Sequence, residues 1–297
     1  MPNSSSIRIS SLSSLYDSTG INDFSNVIKS FEEFCNIDRQ LLKSTIVIHR
    51  TFVKSFIRNL NGKPLESITD SDVREFLSRY NEKSPYTYAN ALKAMKIFVG
   101  DFLKKKNIVE SFRFPNIPYK MKKIPSREEL TGFYSKFRTV REKAMFNMFL
   151  TTGLRKSELL ELKMGDIDFE KRMIRPSKST RTKTQGLAFY TPEAELELKR
   201  HLSTRKGLTP ESKVFDIRRA KLGEIFTRTS RDSGIHLTPQ MLREWFCSEM
   251  LSKGVQEVYV DAFCGRVPHS VLARHYTDFS PERLKEIYDK AGLKVFT

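Results

Sequence analysis

Helical periodicity is interrupted near the middle of this chain by a short segment rich in proline and lysine. Between Arg113 and Pro125 the apolar spacing stops, and the segment carries three prolines and three lysines. An aperiodic segment of this kind is typical of a linker, and 297 residues are enough for two domains of ordinary size. The predicted organisation is a flexible serine-rich leader over 1–19, a helical domain over 20–112, a linker over 113–125 and a second domain over 126–297.

Apolar residues of the first domain recur at helical spacing. One series begins near Phe24, a second near Ile46 and a third near Val73. Ser84-Pro85 then supplies a cap and a first-turn proline for a longer helix. This pattern predicts an all-helical bundle. The lysines and arginines on its other faces indicate either a surface that grips a nucleic-acid backbone or an ordinary solvated face.

The second domain is predicted to be mainly α-helical with a small β-sheet. Ser126 and Glu129 form a capping-box pattern at its first helix. Residues 167–178 and 186–191 are typical of two strands, and the basic, polar segment 179–185 would join them as a hairpin. Further helices are expected on both sides of this hairpin.

The charge balance indicates a polyanionic partner. Lys+Arg 52 against Asp+Glu 35 gives a formal net charge of +17, which favours nucleic acid over a merely basic surface. Cys35, Cys247 and Cys264 are far apart and odd in number, which predicts reduced thiols in an intracellular, cytoplasmic protein. We also expect no membrane segment and no metal site, because no apolar run reaches membrane length and no Cys/His spacing fits a metal.

A tyrosine stands among cations in the stretch GRVPHSVLARHYTD at 265–278. A phenol has a pKa near ~10 and is a poor nucleophile at neutral pH unless its surroundings help it. Arginine can also neutralise the charge that develops on a phosphoryl group during transfer. Tyr276 among arginines therefore indicates attack on a phosphodiester, whereas an ordinary surface or half-buried tyrosine is the alternative.

A second cationic motif, TTGLRKSELL, occupies residues 151–160. Here one helix is predicted to end at Gly153 and another to begin near Arg155. Glu158 lies three residues after Arg155 and would share its helix face. A carboxylate in that position can orient a guanidinium group for bidentate phosphate binding.

These motifs resemble the three sequence boxes of the tyrosine recombinase (phage-type integrase) family. TTGLRKSELL is similar to the first arginine box, and HLTPQMLR at 236–243 to the T-P-H-x-L-R segment. CGR at 264–266, followed by Tyr276, stands where the family usually has L-G-H and its tyrosine. The resemblance covers residues 126–297. The first domain is similar to the family's core-binding domain in helix content and charge only.

The resemblance implies a site-specific DNA recombinase or integrase that works through a 3′-phosphotyrosine intermediate. Tyr276 would be the nucleophile, and Arg155, Arg243 and Arg266 would grip the phosphate, with Glu158 in support. The general acid would be a hairpin lysine. Lys183 is favoured because it lies at the hairpin tip, and Lys178 is the alternative.

The resemblance also implies the partners. These are double-stranded DNA and a homotetramer at synapsis, with a monomer or dimer free in solution. Neither cofactor nor metal is expected, because one phosphoester replaces another of similar energy. A C-terminal segment exchanged between subunits is implied as well, so the apolar stripe that includes Tyr288 would pack in its own core or against a neighbour.

Two departures from the family pattern bear on the function. Gln240 stands where most members have histidine, and an amide cannot transfer protons, although as a supporting residue it can still hydrogen-bond a phosphate oxygen. Arg266 replaces another histidine and lies one residue further from Tyr276 than is common. Such substitutions are similar to those of integrases from spindle-shaped archaeal viruses, which implies insertion of a viral or plasmid genome into a host chromosome. The alternatives are a type IB topoisomerase-like enzyme and a DNA-binding or architectural protein that has lost catalysis.

Overall fold

The computed structural model describes residues 20–119, 121–176, 186–266 and 270–296. The chain divides into two compact units, and the division falls between Met121 and Lys122, inside the segment 113–125. Within the described residues, no helix has both the length and the apolar character needed to cross a bilayer. The same residues contain no cluster of side chains suited to holding a metal ion.

The first unit is built from helices around an aromatic core. The core includes Phe31, Phe56, Phe76 and Phe98, all fully buried. The rings of Phe31 and Phe98 meet edge to face at 5.3 Å between centroids, an arrangement that aromatic pairs favour. The helices are α1 (Gly20–Ile37), α2 (Lys43–Asn59), α3 (Asp70–Ser78), α4 (Pro85–Met95), which continues as a π-helix over Lys96–Phe102, and α5 (Lys106–Glu110).

The second unit surrounds a central helix, α7, which is buried along most of its length and packs against α9 and α11. Its apolar core is separate from that of the first unit. The helices are α6 (Arg127–Tyr134), α7 (Val140–Thr152), α8 (Lys156–Glu161), α9 (Pro192–Ser203), α10 (Arg219–Ser233), α11 (Pro239–Ser252), α12 (Glu257–Phe263), α13 (Val271–His275) and α14 (Pro281–Ala291).

A small antiparallel sheet completes the second unit. β1 (Ile167–Asp168) pairs with β2 (Met173–Ile174), and β2 pairs with β3 (Ala188–Phe189). Ile174 lies opposite both Ile167 and Ala188. The prediction of a mainly helical fold with a small sheet is thus confirmed.

The strand predicted over residues 167–178 is wrong in one respect, because the chain reverses within it and forms two short strands. The Lys171 backbone N–H donates to Asp168 Oδ1 at 2.9 Å, and Arg172 has φ 47°. An aspartate that caps its own turn favours reversal over continued extension.

Local capping explains where several helices begin. The Ser126 N–H donates to Glu129 Oε2 at 2.9 Å, and the Glu129 N–H donates to Ser126 Oγ at 3.2 Å. The predicted capping box is therefore present. Proline occupies the first turn of α4, α9, α11 and α14, where its missing N–H leaves no hydrogen bond unmade.

The C-terminal helix α14 packs into the core of its own unit. Leu284 and Tyr288 are buried, and the Tyr288 hydroxyl donates to the Thr151 carbonyl at 2.8 Å. Arg127 donates to the Lys294 carbonyl at 2.6 Å and so holds the segment that follows. Of the two packing sites expected for Tyr288, its own core is the one observed. Because Thr151 lies in the turn of α7 that precedes Gly153, α14 also supports the start of the first arginine box.

Replacement of Tyr288 by phenylalanine should destabilise the second unit. The aromatic ring is kept, but the Thr151 carbonyl loses its buried donor, which costs about 1 to 3 kcal/mol. The effect is measured as the shift of the urea unfolding transition of the second unit. Tyr119, which is 89% exposed, provides the control, and Tyr119→Phe should shift nothing. Equal shifts for the two variants would contradict a stabilising role for the Tyr288 hydrogen bond.

Candidate active site

The turn between α7 and α8 brings the first arginine into the site. Gly153 ends α7 in the left-handed conformation, with φ 63°. A Cβ at this position would lie 2.6 Å from the Phe246 ring of α11, so only glycine fits without a shift of that ring. The tight approach places the Gly153 carbonyl directly beside α11.

Arg155 caps α8 and is fixed by the glutamate three residues later. Its backbone N–H donates to Glu158 Oε2 at 2.7 Å, and its Nη1 donates to Glu158 Oε1 at 3.1 Å. One carboxylate therefore caps the helix and also orients the guanidinium group. The side chain of Arg155 is 33% exposed, so an anion can reach it from solvent.

Arg243 lies on α11 and is only 3% exposed. Its Nη1 donates to the Gly153 carbonyl, and Nη1 lies 4.0 Å from Glu158 Oε2. Burial lowers the pKa of this guanidinium group from its usual range, although an arginine remains charged at neutral pH. A buried cation of this kind is costly unless it is hydrogen-bonded, and these contacts provide the partners.

One backbone carbonyl joins the two arginines. The carbonyl of Cys264, which ends α12, accepts from Arg155 Nη1 at 3.2 Å and from Arg243 Nη2 at 2.8 Å. Three segments distant in sequence, around residues 155, 243 and 264, therefore meet at one oxygen. Two like charges held this close repel each other, and the carbonyl dipole together with Glu158 offsets that repulsion.

Arg266 lies two residues beyond the carbonyl that Arg155 and Arg243 share. It follows Gly265, which has φ 59°, and its exposed side chain donates from Nη1 to Asp261 Oδ1 at 2.8 Å. Its Nη2 lies 4.0 Å from Cys247 Sγ. Cys247 is one helical turn beyond Arg243 on α11, so Arg243 and Arg266 are linked through one segment.

Tyr276 is not among the hydrogen-bond partners that the described residues provide for Arg155, Arg243 and Arg266. It lies at the end of α13, is 80% exposed, and its backbone N–H donates to the Leu272 carbonyl at 2.9 Å. Among the described residues, its hydroxyl takes part in no hydrogen bond. The reason is local, since α13 buries none of its side chains. The assignment of Tyr276 as the nucleophile stays a prediction.

Gln240 lies at the edge of a cavity of about 460 Å³ that Arg155 also lines. Its amide donates to Glu244 Oε1 at 3.1 Å. Lys156 and His236, for which the sequence predicts no role, line the same cavity. Burial, followed by the charge of Arg219, lowers the pKa of Lys156. The adjacency of Lys156 to Arg155 and of His236 to the second box is the signal that could have identified them.

Both candidates for the general acid, Lys178 and Lys183, lie outside the described residues. The described chain resumes at Gly186, and a Cβ there would lie 2.7 Å from the Cα of Gly265. Gly186, the first residue described after the predicted hairpin segment, thus lies directly beside the residue that precedes Arg266. Such a close backbone approach requires glycine at position 186.

This arrangement can bind a phosphate-sized anion. Three guanidinium groups lie on adjoining segments, two of them fixed by shared acceptors, so the donors are positioned before an anion arrives. The Cys264 carbonyl, which positions two of them, is a backbone group, and no residue type marks it in the sequence.

Two protein families match the chain. The phage integrase family matches residues 126–283, which is more than half of the sequence. The phage integrase N-terminal SAM-like domain matches residues 27–108.

Several curated proteins are similar over most of their length. Tyrosine recombinase XerA of Saccharolobus solfataricus is 25% identical over 257 residues, covering 83% of this chain and 86% of that protein. XerC of Bacillus licheniformis is 28% identical and covers 89% and 95%. XerA of Pyrococcus furiosus is 28% identical and covers 91% and 95%.

Solved structures share the fold at low identity. A lambda integrase dimer bound to a COC′ core site matches with a TM-score of 0.66 at 16% identity, over 86% of this chain and 98% of that one. The Tn1549 transposon integrase in complex with circular intermediate DNA matches with a TM-score of 0.62 at 19% identity, over 88% and 98%.

The contact between Gly153 and Phe246 predicts the effect of adding one methyl group. Gly153→Ala combines a left-handed backbone with a clash, and we expect a loss of about 2 to 4 kcal/mol in the free energy of unfolding. Gly234 is the matched control, because it also ends a helix in the left-handed conformation, at φ 71°, with nothing within 4 Å of an added Cβ. Gly234→Ala should cost only about 1 kcal/mol. Equal losses in chemical denaturation would contradict the packing argument.

Proposed function

Because the chain belongs to the phage integrase family and is a tyrosine-type site-specific recombinase that cleaves and rejoins DNA, we propose that Arg155, Arg243 and Arg266 form its phosphate site and that Tyr276 is its nucleophile. The observation that carries this proposal is the convergence of Arg155 and Arg243 on the Cys264 carbonyl, two residues before Arg266.

In the proposed reaction, the Tyr276 oxygen attacks the scissile phosphorus and the bond to the 5′ oxygen breaks. The DNA 3′ end is then held as a phosphotyrosine, and the 5′ oxygen leaves as a hydroxyl group. The arginines neutralise the charge that builds on the non-bridging oxygens, and the positioned guanidinium groups need little reorganisation as it develops. Reversal by the hydroxyl of another strand joins two DNA molecules.

We propose that the segment carrying Tyr276 moves when it reacts, and α13 is suited to that movement. A helix that buries no side chain can shift without a large loss of packing energy. We therefore assign assembly of the site to DNA binding, when the segment carrying Tyr276 docks against the arginines. Cleavage by this route needs neither a cofactor nor a metal.

Gln240 cannot relay a proton, so the proposed acid is the hairpin lysine. Lys183 is preferred to Lys178 because the tip of a hairpin reaches furthest into a bound duplex. Its place in the chain supports this choice, since Lys183 is three residues before Gly186, which lies beside Gly265.

We further propose that the biological reaction inserts a viral or plasmid genome into a host chromosome. The support is in the sequence, where Gln240 and Arg266 replace two histidines in a way that is similar to integrases of spindle-shaped archaeal viruses. Double-stranded attachment DNA is the proposed substrate, and four subunits are proposed to assemble at synapsis. A net charge of +17 supports a DNA partner.

A nicked suicide duplex tests the nucleophile. When cleavage releases a short strand that diffuses away, the covalent adduct accumulates and is counted on a denaturing gel. Wild-type protein should form this adduct, and Tyr276→Phe should form none because it lacks the attacking oxygen. Tyr259→Phe is the matched control on the neighbouring helix α12 and should retain adduct formation.

Failure of wild-type protein to form an adduct would favour the alternative of a DNA-binding protein without catalysis. If the adduct forms, two labelled duplexes distinguish the remaining alternatives. Joining of strands between the duplexes is expected, whereas resealing of each nick alone would indicate a topoisomerase-like enzyme.

A sulfur substitution identifies the general acid. Lys183→Ala should slow cleavage of ordinary DNA by about 100-fold or more, because general acids contribute on that order. A substrate with sulfur at the 5′ bridging position should restore the rate, since a thiolate leaves without a proton. Lys178→Ala should show only a small defect with either substrate. The opposite pattern between the two lysines would assign the role to Lys178.

A further inference from the structure

We propose that Cys247 and Cys264 form an oxidation-sensitive thiol pair, and that a disulfide between them switches off the arginine site. The effect on cleavage rests on the function proposed above, whereas formation of the disulfide does not. The pair is a modification site built from α11 and the end of α12, and its reactant is a peroxide.

The two sulfurs are already in contact. Cys247 Sγ lies 3.4 Å from Cys264 Sγ, and both thiols are free. Cys247 is seventeen residues earlier in the chain and on a different helix, so the contact is made by tertiary packing. A disulfide requires about 2.05 Å between sulfurs, and only a small approach is needed to reach it.

The pair has one exposed and one buried member. Cys247 is partly exposed, whereas Cys264 is 2% exposed. Arg266 Nη2 lies 4.0 Å from Cys247 Sγ. The hydrogen bond from Cys264, together with the charges of Arg266 and Arg243, lowers the pKa of Cys247 to about 7. The hydrogen bond to Cys247 and burial raise the pKa of Cys264.

Those environments divide the chemistry between the two residues. Cys247 supplies the thiolate, which is the form that reacts with peroxide. Cys264 is the resolving thiol, which attacks the oxidised Cys247 sulfur. Cys35 offers an internal comparison, because it is buried in the first unit and burial raises its pKa to about 11. Its thiol should remain unmodified when the pair reacts.

The proposed oxidation consumes one peroxide molecule per pair. The Cys247 thiolate attacks one peroxide oxygen, the O–O bond breaks, and the departing hydroxide takes a proton to form water. The product is a sulfenic acid at Cys247. Cys264 sulfur then attacks that sulfur, the S–O bond breaks, and the departing hydroxide takes the Cys264 proton as a second water. Two thiols lose two electrons in total, and the peroxide gains them.

The disulfide would act on the arginines through the backbone. The Cys264 carbonyl accepts from both Arg155 and Arg243, and Arg243 lies one helical turn before Cys247. Drawing the sulfurs together shifts the Cys264 backbone against α11, and so changes the positions of both guanidinium groups. Oxidation also removes the anionic sulfur that faces Arg266. A misplacement of about 1 Å at a catalytic site can reduce the rate about 100-fold.

Peptide mapping tests whether the disulfide between Cys247 and Cys264 forms. Full-length reduced protein is treated with hydrogen peroxide, the remaining thiols are blocked, and the protein is digested with trypsin. Cleavage after Arg243, Lys253 and Arg266 releases peptides 244–253 and 254–266. We expect these two peptides to appear joined, with a mass two hydrogens below their sum, and Cys35 to appear blocked. Absence of the joined peptide while peroxide oxidises Cys35 or other residues would overturn the proposal.

Adduct formation on the suicide duplex tests the switch. For each protein, the yield after peroxide is divided by the yield after reduction. The ratio should fall to about one tenth or less in wild type, consistent with a displaced site, and dithiothreitol should restore it. Cys35→Ser should behave as wild type, whereas Cys247→Ser and Cys247→Ala should both give ratios near one.

Several outcomes separate this proposal from the assigned function. The proposed switch would be overturned if peroxide reduced adduct formation equally in Cys247→Ser and in wild type. It would also be overturned if the joined peptide formed while the adduct yield stayed unchanged. No adduct from reduced wild-type protein would count against the function instead, and the peptide map would still decide whether the thiols pair.

The pH dependence of alkylation provides a readout that a merely structural role would not affect. The rate at which iodoacetamide modifies Cys247 should rise through about pH 7, because the thiolate is the reacting form. Arg266→Gln should move this rise to higher pH by removing a nearby cation. The assigned reactivity would be overturned if the alkylation rate of Cys247 rose only near the ordinary pKa of a thiol and Arg266→Gln did not change the pH of that rise.

Discussion

Two guanidinium groups share a single backbone carbonyl in the second unit, and the rest of the candidate active site depends on that contact. Arg155 and Arg243 repel each other, and Arg243 also loses its hydration on burial. The Cys264 carbonyl and the Glu158 carboxylate offset both costs. Because that oxygen belongs to the backbone at the end of α12, the helices that carry the arginines cannot move independently of it.

In the proposed site, the cationic part is built by folding, whereas Tyr276 follows a helix that buries none of its side chains. Arg155, Arg243 and Arg266 have partners in the described structure, but α13 buries nothing and leaves Tyr276 exposed. This division has a chemical advantage. A nucleophile that reached the phosphate only with DNA bound, as proposed above, would make DNA breakage conditional on the substrate, while donors fixed in advance need no reorganisation in the transition state.

Local chemistry was the most predictable part of the chain. The capping box at Ser126 and the pairing of Arg155 with Glu158 follow from residue types at fixed spacing, and the helical fold follows from apolar periodicity. Tertiary contacts were not predictable in this way. The Cys264 carbonyl has no side-chain signature, the reversal at Asp168 depends on one turn, and the exposure of Tyr276 reflects the missing packing of α13. The domain boundaries and the choice between Lys178 and Lys183 stay predictions.

The most direct test of a preformed cationic site is a structure of Tyr276→Phe bound to an uncut attachment duplex. We expect the scissile phosphate to lie against the guanidinium groups of Arg155, Arg243 and Arg266, with the Cys264 carbonyl still accepting from the first two. The phenyl ring that replaces the phenol at position 276 should now point at the phosphorus. A phosphate bound elsewhere, or arginines that abandon Cys264 when DNA binds, would contradict this account.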